Sequence, residues 1–197
     1  MKFRIVILSA LLWLTIGGLP AMATEEPAFK SLLRDGDYEL REYGAYLVAE
    51  TRVDAAFDDA GDVAFGRLFR YISGRNEGSR KISMTSPVRQ VPAENGGHRI
   101  AFIVPAQFTR DTVPQPSDSQ VVIREEPAQK LAVLRYSGRW TEARFRDHER
   151  RLQVWIAGRK LVATGPAIYA RYNAPFVPWP LRRNEVLIPV GEASAVR

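Results

Sequence analysis

Two parts of this chain repeat one another at a nearly constant spacing, and that repeat limits the folds open to it. Leu68-Phe69-Arg70-Tyr71-Ile72-Ser73-Gly74-Arg75 aligns with Leu152-Gln153-Val154-Trp155-Ile156-Ala157-Gly158-Arg159 at an offset of 84, with four identities and a Tyr/Trp exchange in eight positions. Upstream, Leu40-Arg41-Glu42 meets Ile123-Arg124-Glu125 at an offset of 83, and Val48-Ala49 then meets Leu131-Ala132. Downstream, Ile103-Val104-Pro105 meets Leu187-Ile188-Pro189. Self-similarity at one period implies a structural unit used twice.

Each copy reads strand, strand, helix, strand, strand. Runs of β-branched and aromatic residues bounded by turn residues predict strands at 37–43, 45–53, 81–91 and 99–105, then at 120–125, 130–136, 167–172 and 185–190. In the first helix Asp58 or Asp59 can cap, Phe65, Leu68, Phe69 and Ile72 form the apolar stripe, and Gly74 ends it. In the second, Thr141 can cap, Phe145, Leu152, Trp155 and Ile156 form the stripe, and Gly158 ends it. Asn95-Gly96-Gly97 suits a tight hairpin, and the proline-containing stretch 107–119 reads as a connector between halves. The expectation is an α+β fold: a duplicated ββαββ unit, with pseudo-repeats 36–105 and 120–190, making an eight-stranded antiparallel distorted barrel or two facing sheets flanked by two helices. Closure would remove the exposed strand edges.

The N-terminus reads as an export signal. Lys2 and Arg4 precede an apolar run from Ile5 to Ile16, then a small-residue stretch ending Ala21-Met22-Ala23. The run is 12 residues, against about 20 for a helix crossing a bilayer, so residues 1–23 are expected to be removed and 24–197 to form one domain, periplasmic or secreted. The chain has no cysteine, which excludes thiolate metal sites, thiol nucleophiles and disulfides. The net charge of +6 includes Lys2 and Arg4; the mild excess left after cleavage suits carboxylate ligands or anionic headgroups better than nucleic acid.

Four stretches, read together, resemble the SOUL/haem-binding-protein family over nearly all of the chain after residue 23. They are Tyr38-Glu39-Leu40-Arg41-Glu42-Tyr43; the first helix end followed by Asn76; Lys81-Ile82-Ser83-Met84-Thr85-Ser86-Pro87-Val88; and Tyr172-Asn173-Ala174-Pro175-Phe176 with Arg182-Arg183-Asn184-Glu185-Val186. The resemblance implies a duplicated αβ barrel related to bacterial effector-binding domains. It implies that haem or another tetrapyrrole is taken up in an apolar groove beside the first helix, without turnover. Some members use a histidine where this chain has Glu42, which leaves axial ligation open.

The candidate groove is Phe65, Leu68 and Phe69 on the first helix, with Phe176, Val177 and Trp179 in the loop before the last strand. A flat porphyrin needs two apolar walls, and Arg70 at the helix edge can pair with a propionate. Leu68 and Ile72 read equally as core, whereas Phe65 and Phe69 can line either core or groove. Pro175-Phe176-Val177-Pro178-Trp179-Pro180 must be a loop; beside Arg182 and Arg183 it can cover a ligand, pack on its own barrel or touch a lipid surface or protein partner. Of the two histidines, His148 shares the inner stripe of the second helix and reads as packed, a weak candidate iron ligand; His98 sits by the turn and reads as exposed. Met84 is a soft donor that reads as core. No nucleophile elbow, phosphate loop or zinc spacing occurs, so no catalytic residue is assigned. The rival enzyme reading is a hydrolase using Glu39 or Glu185 as a groove base.

Overall fold

Alternation along the strands dictates a sheet with two occupied faces. The computed structural model describes residues 24–192, and the export signal expected at 1–23 lies outside them. Ten strands form one antiparallel sheet: β1 (Phe29–Asp35), β2 (Tyr38–Tyr43), β3 (Tyr46–Val53), β4 (Val88–Pro92), β5 (His98–Ile103), β6 (Val121–Glu126), β7 (Gln129–Tyr136), β8 (Leu161–Ala163), β9 (Ile168–Arg171) and β10 (Asn184–Glu192). Helix α1 (Phe57–Ile72) follows β3, and α2 (Glu142–Gly158) follows β7.

The spatial order is β1-β2-β7-β10-β9-β4-β5-β3-β6, with β8 added beside β10. Around the β9–β4 junction this order is symmetric. Within one wing β9, β10 and β7 end on β2 from the first half; within the other β4, β5 and β3 end on β6 from the second. Each half thus lends its opening strand to the other, so neither half's sheet is complete alone.

Odd and even positions face different layers. Leu47, Ala49, Ile100 and Phe102 meet Ala60, Ala64, Leu68 and Ile72 of α1, and Ala132, Leu134, Val186 and Ile188 meet Phe145, Leu152 and Ile156 of α2. The opposite face carries Tyr43, Leu131, Val133, Ile168 and Leu187, with Val48, Ala101 and Ile103 nearby. Residues of β2, β3, β4, β5, β7, β9 and β10 border one small cavity on that face, so the sheet curls round it as a distorted barrel. The barrel is not closed: no pairing joins β1 to β6, and the expectation that closure removes both edges is corrected.

All eight expected strands are present, with changed limits and two additions. β1 forms a hairpin with β2 across Gly36-Asp37; its side chains are all exposed, so it lacks the buried alternation that marks a strand. The strand expected over 81–91 shrinks to β4. The Ile82 amide donates to Ile72 O and the Ser86 amide to Glu25 O, each at 2.8 Å, and Pro87 has no N–H to offer a ladder.

The caps differ from the sequence expectation in partner more than in place. Ala56, not Asp58 or Asp59, precedes α1, and the Thr141 side chain makes no capping bond. Asp58 Oδ1 instead accepts the backbone N–H of Glu142 at 2.9 Å, so an acid in the first turn of α1 caps α2. Gly74, at φ +113, completes the end of α1: the Arg75 amide donates to Arg70 O at 3.0 Å and the Gly74 amide to Tyr71 O at 3.2 Å. Gly158 is still helical, and Lys160 takes the left-handed position at φ +57. Replacing Asp58 with Ala removes a cap outside its own helix; a loss of about 1 kcal/mol in stability, with α2 amides exchanging faster than those of α1, is the outcome expected from urea titration and hydrogen exchange.

Candidate functional site

Helix α1 buries Phe57, Ala60, Gly61, Ala64, Leu68, Tyr71 and Ile72, and the run of small residues at 60, 61 and 64 lets its first half lie close to the sheet. Gly61 makes the tightest approach: a Cβ there would overlap the Arg171 guanidinium of β9. Arg171 is held beneath the helix by a 2.7 Å bond from Nη2 to Gln90 Oε1, among the rings of Phe57, Trp140 and Phe145.

Phe65 and Phe69 fall at the margin of that buried face and stay 40% and 50% exposed. Their rings stack at 5.8 Å and 13°, and Phe65 meets Phe102 of β5 edge-on at 5.3 Å. The result is a preformed apolar plate: buried on one side, open to solvent on the other. Leu68 is fully buried and supports the plate from below without lining it.

Arg70 follows the plate along the helix. With Arg67, Tyr71, Arg75, Ser117 and Asp118 it borders a depression of about 270 Å³. Arg67 is engaged, donating to Thr51 Oγ1 at 2.8 Å and lying 3.7 Å from Asp118. Among the described residues no carboxylate lies within ion-pair distance of Arg70 or Arg75, so both cations remain available to an anion.

The loop between β9 and β10 forms a second apolar cluster. Arg182 clamps it, donating to Val177 O at 2.7 Å and Pro175 O at 2.6 Å while stacking 4.2 Å from Trp140. Phe176 is 87% exposed and Leu181 73%; Val177 is half-buried, and Trp179 takes Arg139 at 5.6 Å. Among the described residues no ring contact joins Phe176 or Trp179 to Phe65 or Phe69. The anticipated walls thus do not touch one another: Phe65 and Phe69 stand on α1, and Phe176 and Trp179 on the loop between β9 and β10.

His148 is buried, stacked on Tyr136 at 3.7 Å, with Nδ1 2.7 Å from Arg144 O; burial outweighs that bond and lowers its pKa. One ring face and Nδ1 are thus taken up by Tyr136 and Arg144. His98 is half-buried rather than exposed, edge-on to Phe57 at 5.4 Å, and Met84 is partly exposed rather than core. Glu42 is exposed on β2. Among the described residues no cluster of three or more His, Asp or Glu is placed to hold a metal ion, and no helix is long and apolar enough to cross a membrane.

The carboxylates of the hydrolase reading lie on the opposite, interior face. Glu185 is fully buried. It accepts from Arg41 Nη1 at 2.8 Å and Nη2 at 3.1 Å, from Arg183 Nη2 at 2.9 Å, and from the Tyr172 hydroxyl at 2.6 Å. Glu39 takes Arg41 Nε at 2.8 Å. Burial pushes both carboxyls up, but for Glu185 the bonds and charge of Arg41, with Arg183 and Tyr172, win, and its pKa falls below the ordinary range. Glu39 is lowered in the same sense by its bonds from Ser31 and Arg41. Both are saturated anions, and neither is poised as a base. The motif reading missed this network, although Glu39, Arg41 and Tyr43 at alternate positions of one strand were bound to share a face.

These surfaces define a class: an α+β domain with a curled sheet, an apolar and cationic patch on one helix, and an interior sealed by ion pairs, suited to holding a ligand. A family model described as SOUL heme-binding protein matches residues 24–189, and the chain belongs to that family, whose ligand is haem. It is 29% identical to heme-binding protein 1 of Xenopus tropicalis over 156 residues, covering 76% of this chain and 81% of that one. It is 30% identical to heme-binding protein 1 of Mus musculus, covering 77% and 83%. Among solved structures, the EcmrR C-terminal domain superposes with a TM-score of 0.63 at 12% identity, covering 79% of this chain and 97% of that one. A hydrolase from Listeria innocua gives 0.56 at 8% identity, covering 81% and 94%. At these identities both show a shared fold alone.

Because the folded pKa values of Glu185 and Glu39 lie below the ordinary glutamate value of 4.5, their contribution is complete above about pH 4.5 and is lost as pH falls through the folded values. Arg41→Met should cost about 3–5 kcal/mol at pH 7, since it strands buried charge. In urea titrations the gap between this variant and the unaltered protein should narrow at pH 3; a gap independent of pH would refute the ionised network.

Proposed function

We propose that this protein binds haem or a related tetrapyrrole on the outer face of α1, as an exported carrier, buffer or scavenger in the periplasm or medium, and that it performs no turnover. The observation that carries this reading is the stacked, half-exposed Phe65–Phe69 pair on α1, on the helix that also carries Arg70, which with Arg75 borders a depression where neither has a carboxylate within ion-pair distance among the described residues. A porphyrin face laid on the plate removes apolar area from water, and Arg70 with Arg75 lies where propionates need cations. Haem, when bound, would supply the absorbance by which binding is read; neither histidine stands on this face of α1, so affinity would come from Phe65 and Phe69 with Arg70 and Arg75. A family name given to relatives supports the ligand, and the saturated carboxylates support binding over hydrolysis.

Hemin titrated into protein beginning at Thr24 should give a saturable Soret shift with Kd below about 10 μM. Phe69→Asp should weaken it at least tenfold and Arg70→Glu severalfold, while His148→Phe leaves affinity and spectrum unchanged. No saturable binding in that range, or equal binding by Phe69→Asp, would overturn the proposal.

The loop tip favours a second role, contact with a lipid surface. A clamped loop that exposes Phe176, Trp179 and Leu181 beside Arg139 and Arg182 matches apolar insertion next to anionic headgroups. Sedimentation with vesicles containing phosphatidylglycerol should be lost in Trp179→Ser and in high salt, with hemin affinity unaltered; binding unchanged by either would remove this role.

A further inference from the structure

The segment before β1 does not run out into solvent: it crosses the interior face of the sheet. Glu25 O accepts the Ser86 amide at 2.8 Å, and Glu25 Oε1 accepts the Ala106 amide at 2.7 Å. Glu26 takes Arg183 Nη1 at 2.8 and 3.0 Å. Pro27 then closes a cavity of about 10 Å³ walled by Tyr43, Tyr46, Arg89, Tyr172 and Leu187, among others. Phe29 lies 4.3 Å from the Arg41 guanidinium and 5.3 Å from the Tyr43 ring. Hollows of about 690 and 480 Å³ open on the two sides of this strap, each of the size of a small-molecule site. Lifting the strap would join them over a floor of phenols and aliphatic side chains.

The strap has the chemistry of a ligand: a carboxylate seated on an arginine, followed by an apolar ring in a slot. Arg183 gives Nε and Nη2 to Glu185 and keeps Nη1 for Glu26, so one donor of its fork is reserved for an outside anion. Between Glu25 and Phe29 the strap is held by a single bridge to Thr85 and the few bonds above, whereas its neighbours are held by continuous ladders. It is therefore the element of this face that is least costly to displace. A neutral occupant would leave Arg183 Nη1 to water at this exposed position and forgo the charge-assisted bond that a carboxylate makes there.

We propose that Glu25–Ala28 is an internal pseudo-ligand, and that the slot beneath it is a second binding site for amphiphilic carboxylates. The head of such a ligand replaces Glu26 on Arg183, and its apolar body replaces Pro27 among Tyr43, Tyr46 and Tyr172. The site lies on the face of the sheet opposite α1 and does not depend on the haem reading.

The test uses 1-pyrenebutyrate as probe, with 1-pyrenebutanol as its neutral counterpart, in protein beginning at Thr24. Glu26→Gln weakens the internal competitor at an exposed ion pair, so it should bind pyrenebutyrate at least fivefold tighter than the unaltered protein, with a much smaller gain for the alcohol. Saturating pyrenebutyrate should accelerate exchange of the Ser86 and Ala106 amides, which the strap protects. Phe69→Asp should keep the full response. Equal affinity in Glu26→Gln, unaltered exchange at those two amides, or loss of the response in Phe69→Asp would each overturn the proposal.

Discussion

A carboxylate with no exposure to water survives in this protein because two guanidiniums and a phenol converge on it. Glu185 sits on β10 near the middle of the sheet, Arg41 comes from β2, and Arg183 and Tyr172 flank β9 and β10. An unpaired anion there would cost several kcal/mol, so the strands supplying these groups must meet in one register. The network thereby couples the first strand of one half to the last strand of the other. A related network of Arg89, Tyr46, Glu126, Arg124 and Glu50 serves the other wing.

The exposed apolar surface of the helices lies on the other side of the sheet from this network. Both helices cover the apolar face, but they do so differently. Helix α2 points Phe145, Leu152 and Ile156 inward and stacks Trp155 on Tyr38. Helix α1 meets the sheet with Ala60, Gly61 and Ala64 in its first half and Leu68 and Ile72 in its second, and Phe65 and Phe69 stand at the margin of that face, partly exposed. Loop and helix then divide the exposed apolar surface into two patches with different rims, two free arginines by the helix and a clamped arginine by the tip.

The family likeness extends over most of the chain, while the solved folds it resembles share little sequence. This contrast is understandable from the architecture. Curling one antiparallel sheet beneath two helices asks only for alternation along the strands and an apolar face on each helix, and many sequences satisfy it.

The repeat, the strand and helix content, the family and the residues of the aromatic plate were legible in the amino-acid sequence, because periodicity and composition are local properties. So was the separation of Glu39, Arg41 and Tyr43 onto one face, had the alternation on that strand been followed. The exchange of opening strands between halves, the open edges, the capping of α2 by Asp58 and the strap over the interior face were settled by tertiary structure alone. Each of these joins residues far apart in the chain, and which of the many possible long-range partners is chosen depends on the simultaneous packing and charge pairing of all the strands, a constraint that no local pattern carries.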